Sequence, residues 1–208
     1  MDTPKYDLKL FVRDASSLEL DAFIPVFHHW IQSRALDDLL IDVVDYRHVP
    51  HGPGIILIGH DAQYGMDNAV AGRPGLLYSR RRETHASRTD IRSIPQRLQS
   101  VFRDTLTACR LLEAEPGLQT SVQFRTDELL LRVNDRLHAP NTDDAFTALQ
   151  THLEPFLQQL FPANTVKVEH LSDAKTSLTA HVKMAHAPSL DALIERLNDI
   201  EVAVGATM

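Results

Sequence analysis

The chain has 208 residues, 43% of them hydrophobic and 24% charged, with 21 Lys and Arg against 28 Asp and Glu. That length suits one domain, or two small ones sharing a core, and buries a sizeable interior without covalent staples. A net charge of −7 argues against a nucleic-acid binder, which works from a basic face, and one cysteine, Cys109, excludes intramolecular disulfides and thiolate zinc clusters.

Residues 8–13 alternate apolar and mixed side chains up to a polar break at 14–17, the pattern of a strand. From Asp21 the period changes. Phe23, Val26, Phe27, Trp30 and Ile31 share one helical face, with Asp21 as N-cap and Pro25 in the first turn. Residues 39–49 and 54–60 read as two strands about the turn Pro50-His51-Gly52-Pro53, where proline fixes φ and glycine supplies positive φ. The second of these is apolar on both faces and is expected to be central. A further strand covers 75–82. Between them, 59–75 shows neither helical nor strand period and is expected to be a long glycine-rich loop.

Ser93 and Gln96 fit a capping box, opening a long helix whose inward face runs through Ile94, Leu98, Val101, Phe102, Leu106, Cys109 and Leu112. Pro116-Gly117 stops it. In the second half, 122–124 and 129–133 read as strands paired through a turn at Thr126-Asp127. A helix capped within 141–144 turns Phe146, Leu149, Leu153, Phe156, Leu157 and Leu160 inward, strands follow at 166–168 and 178–184, and Ser189 caps a last helix.

The two halves repeat. Leu8-Lys9-Leu10-Phe11-Val12-Arg13-Asp14 aligns with Leu129-Leu130-Leu131-Arg132-Val133-Asn134-Asp135, and each strand is followed by a helix opening on Asp-Ala-Phe, at Asp21 and at Asp144. The order strand-helix-strand-strand-helix occurs in both, with one extra strand in the first. That order resembles the ferredoxin-like split unit. The resemblance implies an α+β fold of two tandem ferredoxin-like (βαββα) halves, antiparallel sheets with helices packed on one face. Residues 1–117, with the loop 59–75, form the first half and 118–208 the second, packed as one unit because only a short helix stop separates them. The fold hosts haem enzymes, small-molecule sensors and dimerisation modules alike, so function must come from a site.

Six of the eight glycines lie between Gly52 and Gly75, among polar side chains. Glycine lets backbone approach a ligand closely, so the region 46–75 is the expected binding surface, with Tyr46, Arg47, His48, His51, His60, Asp61, Tyr64 and Arg73 as its ligand-binding residues. His48, His51 and His60 are candidate ligands for a transition metal or the axial position of a haem, since neutral imidazole suits zinc, iron or copper. The bland alternative is that they are turn and strand-end histidines. Arg47, Arg73 and the run Arg80-Arg81-Arg82 match the geometry of a small anionic ligand, against the alternative of a charge-guarded edge strand. Asp42 and Asp45, three apart, point to opposite faces of a strand and do not form an acid–base pair. His28 and His29 flank the apolar face of the first helix, and Cys109 lies on that of the long helix, where a thiol is inert.

The sequence therefore leads to a non-catalytic small-ligand-binding or regulatory protein, a possible homodimer. The alternatives are a metal- or haem-assisted enzyme acting on a small anionic substrate, and a structural or assembly protein whose sheet surface makes the contacts. The N-terminal residues lack a basic start followed by an apolar stretch, so a cytoplasmic protein with no membrane and no nucleic-acid partner is expected.

Overall fold

A computed structural model describes residues 5–50, 52–81, 93–118, 122–173 and 175–205, with backbone alone for 201–205. Eight strands form one antiparallel sheet: β1 Tyr6–Val12, β2 Leu40–Asp45, β3 Ile55–Gly59, β4 Ala62–Asp67, β5 Gly75–Arg80, β6 Phe124–Val133, β7 Val166–His170 and β8 Leu178–Met184. Their order is β2-β3-β4-β5-β1-β6-β8-β7. The helices are α1 Phe23–Ser33, α2 Ile94–Ala114, α3 Asp143–Leu160 and α4 Leu190–Gly205. The fold is α+β, with the duplicated ferredoxin-like (βαββα) arrangement that the repeat implies.

Register explains why one side of the sheet attracts helices. Leu57, Tyr64, Tyr78, Leu8, Leu131 and Ala180 lie directly opposite one another across six strands. All are buried in a single apolar cluster with Phe23, Phe27 and Trp30 of α1, Leu98 and Phe102 of α2, Leu153 and Phe156 of α3, and Leu193 and Leu197 of α4. Side chains alternate along a strand, so the next residue on each strand faces the other side. The buried apolar residues of the four α-helices belong to that one cluster, while on the other side the β4–β5 connection, with its 3-10 turn Val70–Gly72, lies over Lys9, whose ammonium donates to the Val70 carbonyl. We refer to that other side as the bare face.

The two halves meet at β1 and β6. Leu8 pairs with Leu131, Leu10 with Leu129 and Lys9 with Leu130. The repeat read from the sequence equates Lys9 with Leu130, so a pseudo-two-fold axis runs between these two residues. Chain β6-α3-β7-β8 is the split unit, with β8 returning between β6 and β7. In the first half α1 carries the chain from β1 to the far edge, and β2, β3, β4 and β5 meander back. The hairpin β3–β4 is thus an addition that the second half lacks.

Several expectations need correction. Asp21 lies in a short 3-10 turn and does not cap α1, whose N-cap is Ala22, and the first half carries two extra strands rather than one. Segment 59–75 is not a long loop, because it contains β4 and a short 3-10 turn at Val70–Gly72. Ala62, Tyr64 and Met66 do alternate with Gln63, Gly65 and Asp67, but a glycine and two small or polar neighbours hide the period. Strand β3 is not central; it lies beside the edge strand β2. Residues 122–124 and 129–133 are not two paired strands. Residues Phe124–Val133 run as one strand along β1, with a register shift where the turn was expected. The capping box at Ser93 and Gln96 and the caps at Thr142 and Ser189 are present.

Candidate functional site

The residues expected to form one binding surface are dispersed. Tyr46 and His48 are exposed in the turn after β2, where the Tyr46 N–H donates to the Gly54 carbonyl at 2.8 Å. Arg47 in the same turn is held edge-on by Asp45, with Nη2 2.7 Å from Oδ2, and that pair draws the Asp45 carboxyl down to about 2. His51 lies outside the described residues. His60 is at the opposite end of β3, its N–H on the Leu39 carbonyl and its Nδ1 2.9 Å from Asp61 Oδ1. A five-residue strand spans roughly 17 Å, so His48 and His60 cannot share an ion. The register across the β2–β3 turn separates them. Among the described residues no group of three or more His, Cys, Asp or Glu is placed to hold a metal.

Asp61 belongs to the β3–β4 turn, whose backbone N–H groups at Asp61 and Ala62 donate to the Asp38 carboxylate at 3.1 and 3.2 Å. Burial pushes the Asp38 carboxyl up, against these bonds. A Cβ at Gly59 would lie 2.2 Å from Asp38 Oδ2, so this glycine admits a carboxylate rather than a ligand. Beside it, Arg34, Leu36, Asp37, Leu39 and Asp61 line an open hollow of about 670 Å³. Tyr64 is buried on the helix side, edge-on to Tyr78 at 5.3 Å between centroids. The arginine run does not converge either. Arg80 is buried with Nη1 3.2 Å from Ser100 Oγ, Arg81 donates to the Gly59 carbonyl, and Arg82 lies outside the described residues. Asp42 is exposed and accepts from the Val43 N–H at 2.8 Å. Cys109 is fully buried, which pushes its thiol well up.

Arg73 alone of that set reaches a concentration of charge, and it lies on the bare face. Its guanidinium sits 3.8 Å from the Phe11 ring centroid and donates to both oxygens of Glu128, at 2.6 and 3.1 Å. Glu128 also forms an ion pair with Arg125, whose Nη1 lies 3.1 Å away, and faces His181 Nε2 at 2.7 Å. Led by Arg73, these groups hold the Glu128 carboxyl down at about 2. The chain of charge continues along β8 and β7. His181 Nδ1 lies 3.8 Å from Glu169, which takes Lys167 at 2.5 Å and Lys183 at 3.3 Å.

A buried layer underlies it. The Lys9 ammonium, fully enclosed, spends its three donors on Asp67 Oδ2 at 2.6 Å and the carbonyls of Asp67 and Val70 at 3.0 and 2.7 Å. Burial lowers its pKa, with Asp67 opposing. Asp7, also enclosed, is held by Arg132 Nε at 2.7 Å. These residues escaped the sequence reading, although Leu178–Met184 carries Thr179, His181 and Lys183 in strict alternation with apolar residues. That alternation is the signal that places them together on one face.

No protein-family model matches the chain, and no curated protein matches it. No helix among the described residues is long and apolar enough to cross a membrane.

Proposed function

We propose that this is a non-catalytic binding or regulatory module of the cytoplasm that works through the bare face of its sheet. One observation supports the reading: the buried apolar residues of the α-helices gather in one cluster on one side of the eight-stranded sheet, and the other side, covered at its middle by the β4–β5 connection, is not an ordinary solvated surface. Its β2–β5 wing presents Val44, Ile56, Ile58 and Leu77 half-buried, and its β6–β7 wing presents guanidinium and ammonium groups fixed by carboxylates beneath. An antiparallel sheet open to water ordinarily alternates apolar-in with polar-out. Half-exposed isoleucines on the outer side depart from that pattern and suit a partner surface.

Photo-crosslinking residues test this when placed at Ile58 and Leu77 on the bare face, and at His29 and Gln158 on exposed helix positions. Discrete products in cells from the first pair alone support the proposal. Products from the helix positions alone overturn it. A product of twice the chain mass identifies the partner as a second copy.

The hollow beside Asp61 favours a second reading, a small ligand held between the α1–β2 connection and the β3–β4 turn. A metabolite that raises the melting temperature of the wild type, and not of Asp37→Ala, supports it.

A further inference from the structure

Resting on that reading of the bare face, we infer that its β6–β8–β7 wing docks an acidic protein segment, an extended run of Asp and Glu. The first argument is the depth of each charge. In the arginine and lysine pairs across this wing the base is the more exposed partner: Arg73 43% against Glu128 8%, Arg132 25% against Asp7 1%, Lys183 49% and Lys167 71% against Glu169 33%; His181, at 15% beside the same Glu169, is the exception. Carboxylates lie recessed and cations face water, on a chain whose net charge is −7.

Pairing supplies the second argument. Lys183 of β8 stands directly opposite Lys167 of β7, and Glu128 of β6 opposite Lys183. Like charges directly opposite each other cost stability. Both ammonium groups lean on the one carboxylate of Glu169, leaving a surplus positive charge at the most exposed part of the face. A carboxylate arriving between the lysines would neutralise that surplus.

The geometry selects the partner. Neighbouring strands are about 4.8 Å apart, so the row from Lys167 through Lys183 to the Arg73–Glu128 pair is too wide for one small anion. An extended peptide, with carboxylates on one side roughly every 6.6 Å, is long enough to span that row where a single small anion is not. Arg73 already spends two donors on Glu128, which leaves ammonium point charges rather than open guanidinium forks for bidentate phosphate recognition. A nucleic acid is thereby disfavoured, as it is by the overall negative charge.

Fluorescence anisotropy of the full chain with a labelled peptide of five Glu-Ser repeats tests this, beside a Lys-Ser peptide and a ten-nucleotide single-stranded DNA. We expect binding of the acidic peptide that weakens with salt, and that Lys167→Glu with Lys183→Glu reduces by at least about tenfold. Arg34→Glu with Arg110→Glu, the same charge change elsewhere, reduces it far less. Circular dichroism and melting of each variant confirm that it is folded. No binding to the wild type at low salt, equal loss in both double variants, or tighter binding of the DNA overturns the inference. If it fails while Ile58 and Leu77 still crosslink, the bare face binds a partner of other chemistry. If crosslinking fails too, the face is not functional.

Discussion

Asp7 and Glu128 occupy the same place in the two halves, one step either side of the pseudo-axis, and both are carboxylates held by a guanidinium. Their acidities move in opposite directions. Burial raises Asp7, with Arg132 opposing, whereas Arg73, with His181 and Arg125, pulls Glu128 down to about 2. Asp7 takes its guanidinium directly from the neighbouring strand. At the equivalent of Arg132 the first half has Phe11, and Arg73 arrives instead from beyond β4 to lie over that ring. Donor number and access to water set the sign of each shift, not position in the fold. A duplicated backbone has therefore been fitted with two different charge arrangements.

The residues on the axis differ more sharply, and the largest expected effect lies there. Lys9 faces Leu130, so one half buries an ammonium where the other buries a methyl-rich side chain. Asp67→Ala strands that ammonium and should cost about 3–5 kcal/mol in urea unfolding. Lys9→Leu with Asp67→Leu should recover most of the loss, because Leu130 shows that this environment accepts leucine. A small loss in Asp67→Ala alone would mean that Lys9 escapes to water and clamps nothing.

Glu128→Gln comes next, at about 1–3 kcal/mol near neutral pH, since it weakens charge-assisted bonds from Arg73 and His181 and removes the ion pair with Arg125. A carboxyl depressed on folding from 4.5 to about 2 stabilises above its unfolded value and loses that contribution as pH falls through its folded one. The gap between wild type and Glu128→Gln should thus close between roughly pH 5 and pH 2. Asp7→Asn should move stability by less, within about 1 kcal/mol. Its pH dependence has the opposite sign. A carboxyl raised on folding binds its proton more readily in the native state, so wild type should gain on Asp7→Asn as the pH falls toward 3.8. Equal slopes for the two variants would show that the halves are electrostatically equivalent after all.

Much of this architecture was legible in the sequence because it rests on strong local signals. The repeat at Leu8 and Leu129, the capping box at Ser93 and the apolar faces of α2 and α3 each repeat one message over many residues. The register then matched the repeat, with Lys9 opposite Leu130. Strand β4 was hidden because Gly65 contributes no side chain to an alternation, and glycine-rich sequence reads as a loop. The charged site was hidden for another reason. Arg73, Glu128, His181 and Glu169 are brought together by strand order β1-β6-β8-β7, a long-range property that no window of sequence contains. His48 and His60, conspicuous in sequence, prove to be separated by the length of β3.

The smallest stability effect is expected where the proposed docking is strongest. Lys167 and Lys183 are exposed and share one carboxylate, so their attraction to Glu169 is offset by solvent and by their repulsion across adjacent strands. Replacing both by Gln should leave the unfolding midpoint unchanged within error, unlike any substitution at Lys9, Asp67 or Glu128. A clear loss of stability would show that these lysines hold β7 onto β8, and the surplus charge would then belong to folding. An unchanged midpoint together with lost peptide binding separates the two roles. The recessed carboxylates of this face would then serve to fix the cations in place, and the cations to meet something outside the fold.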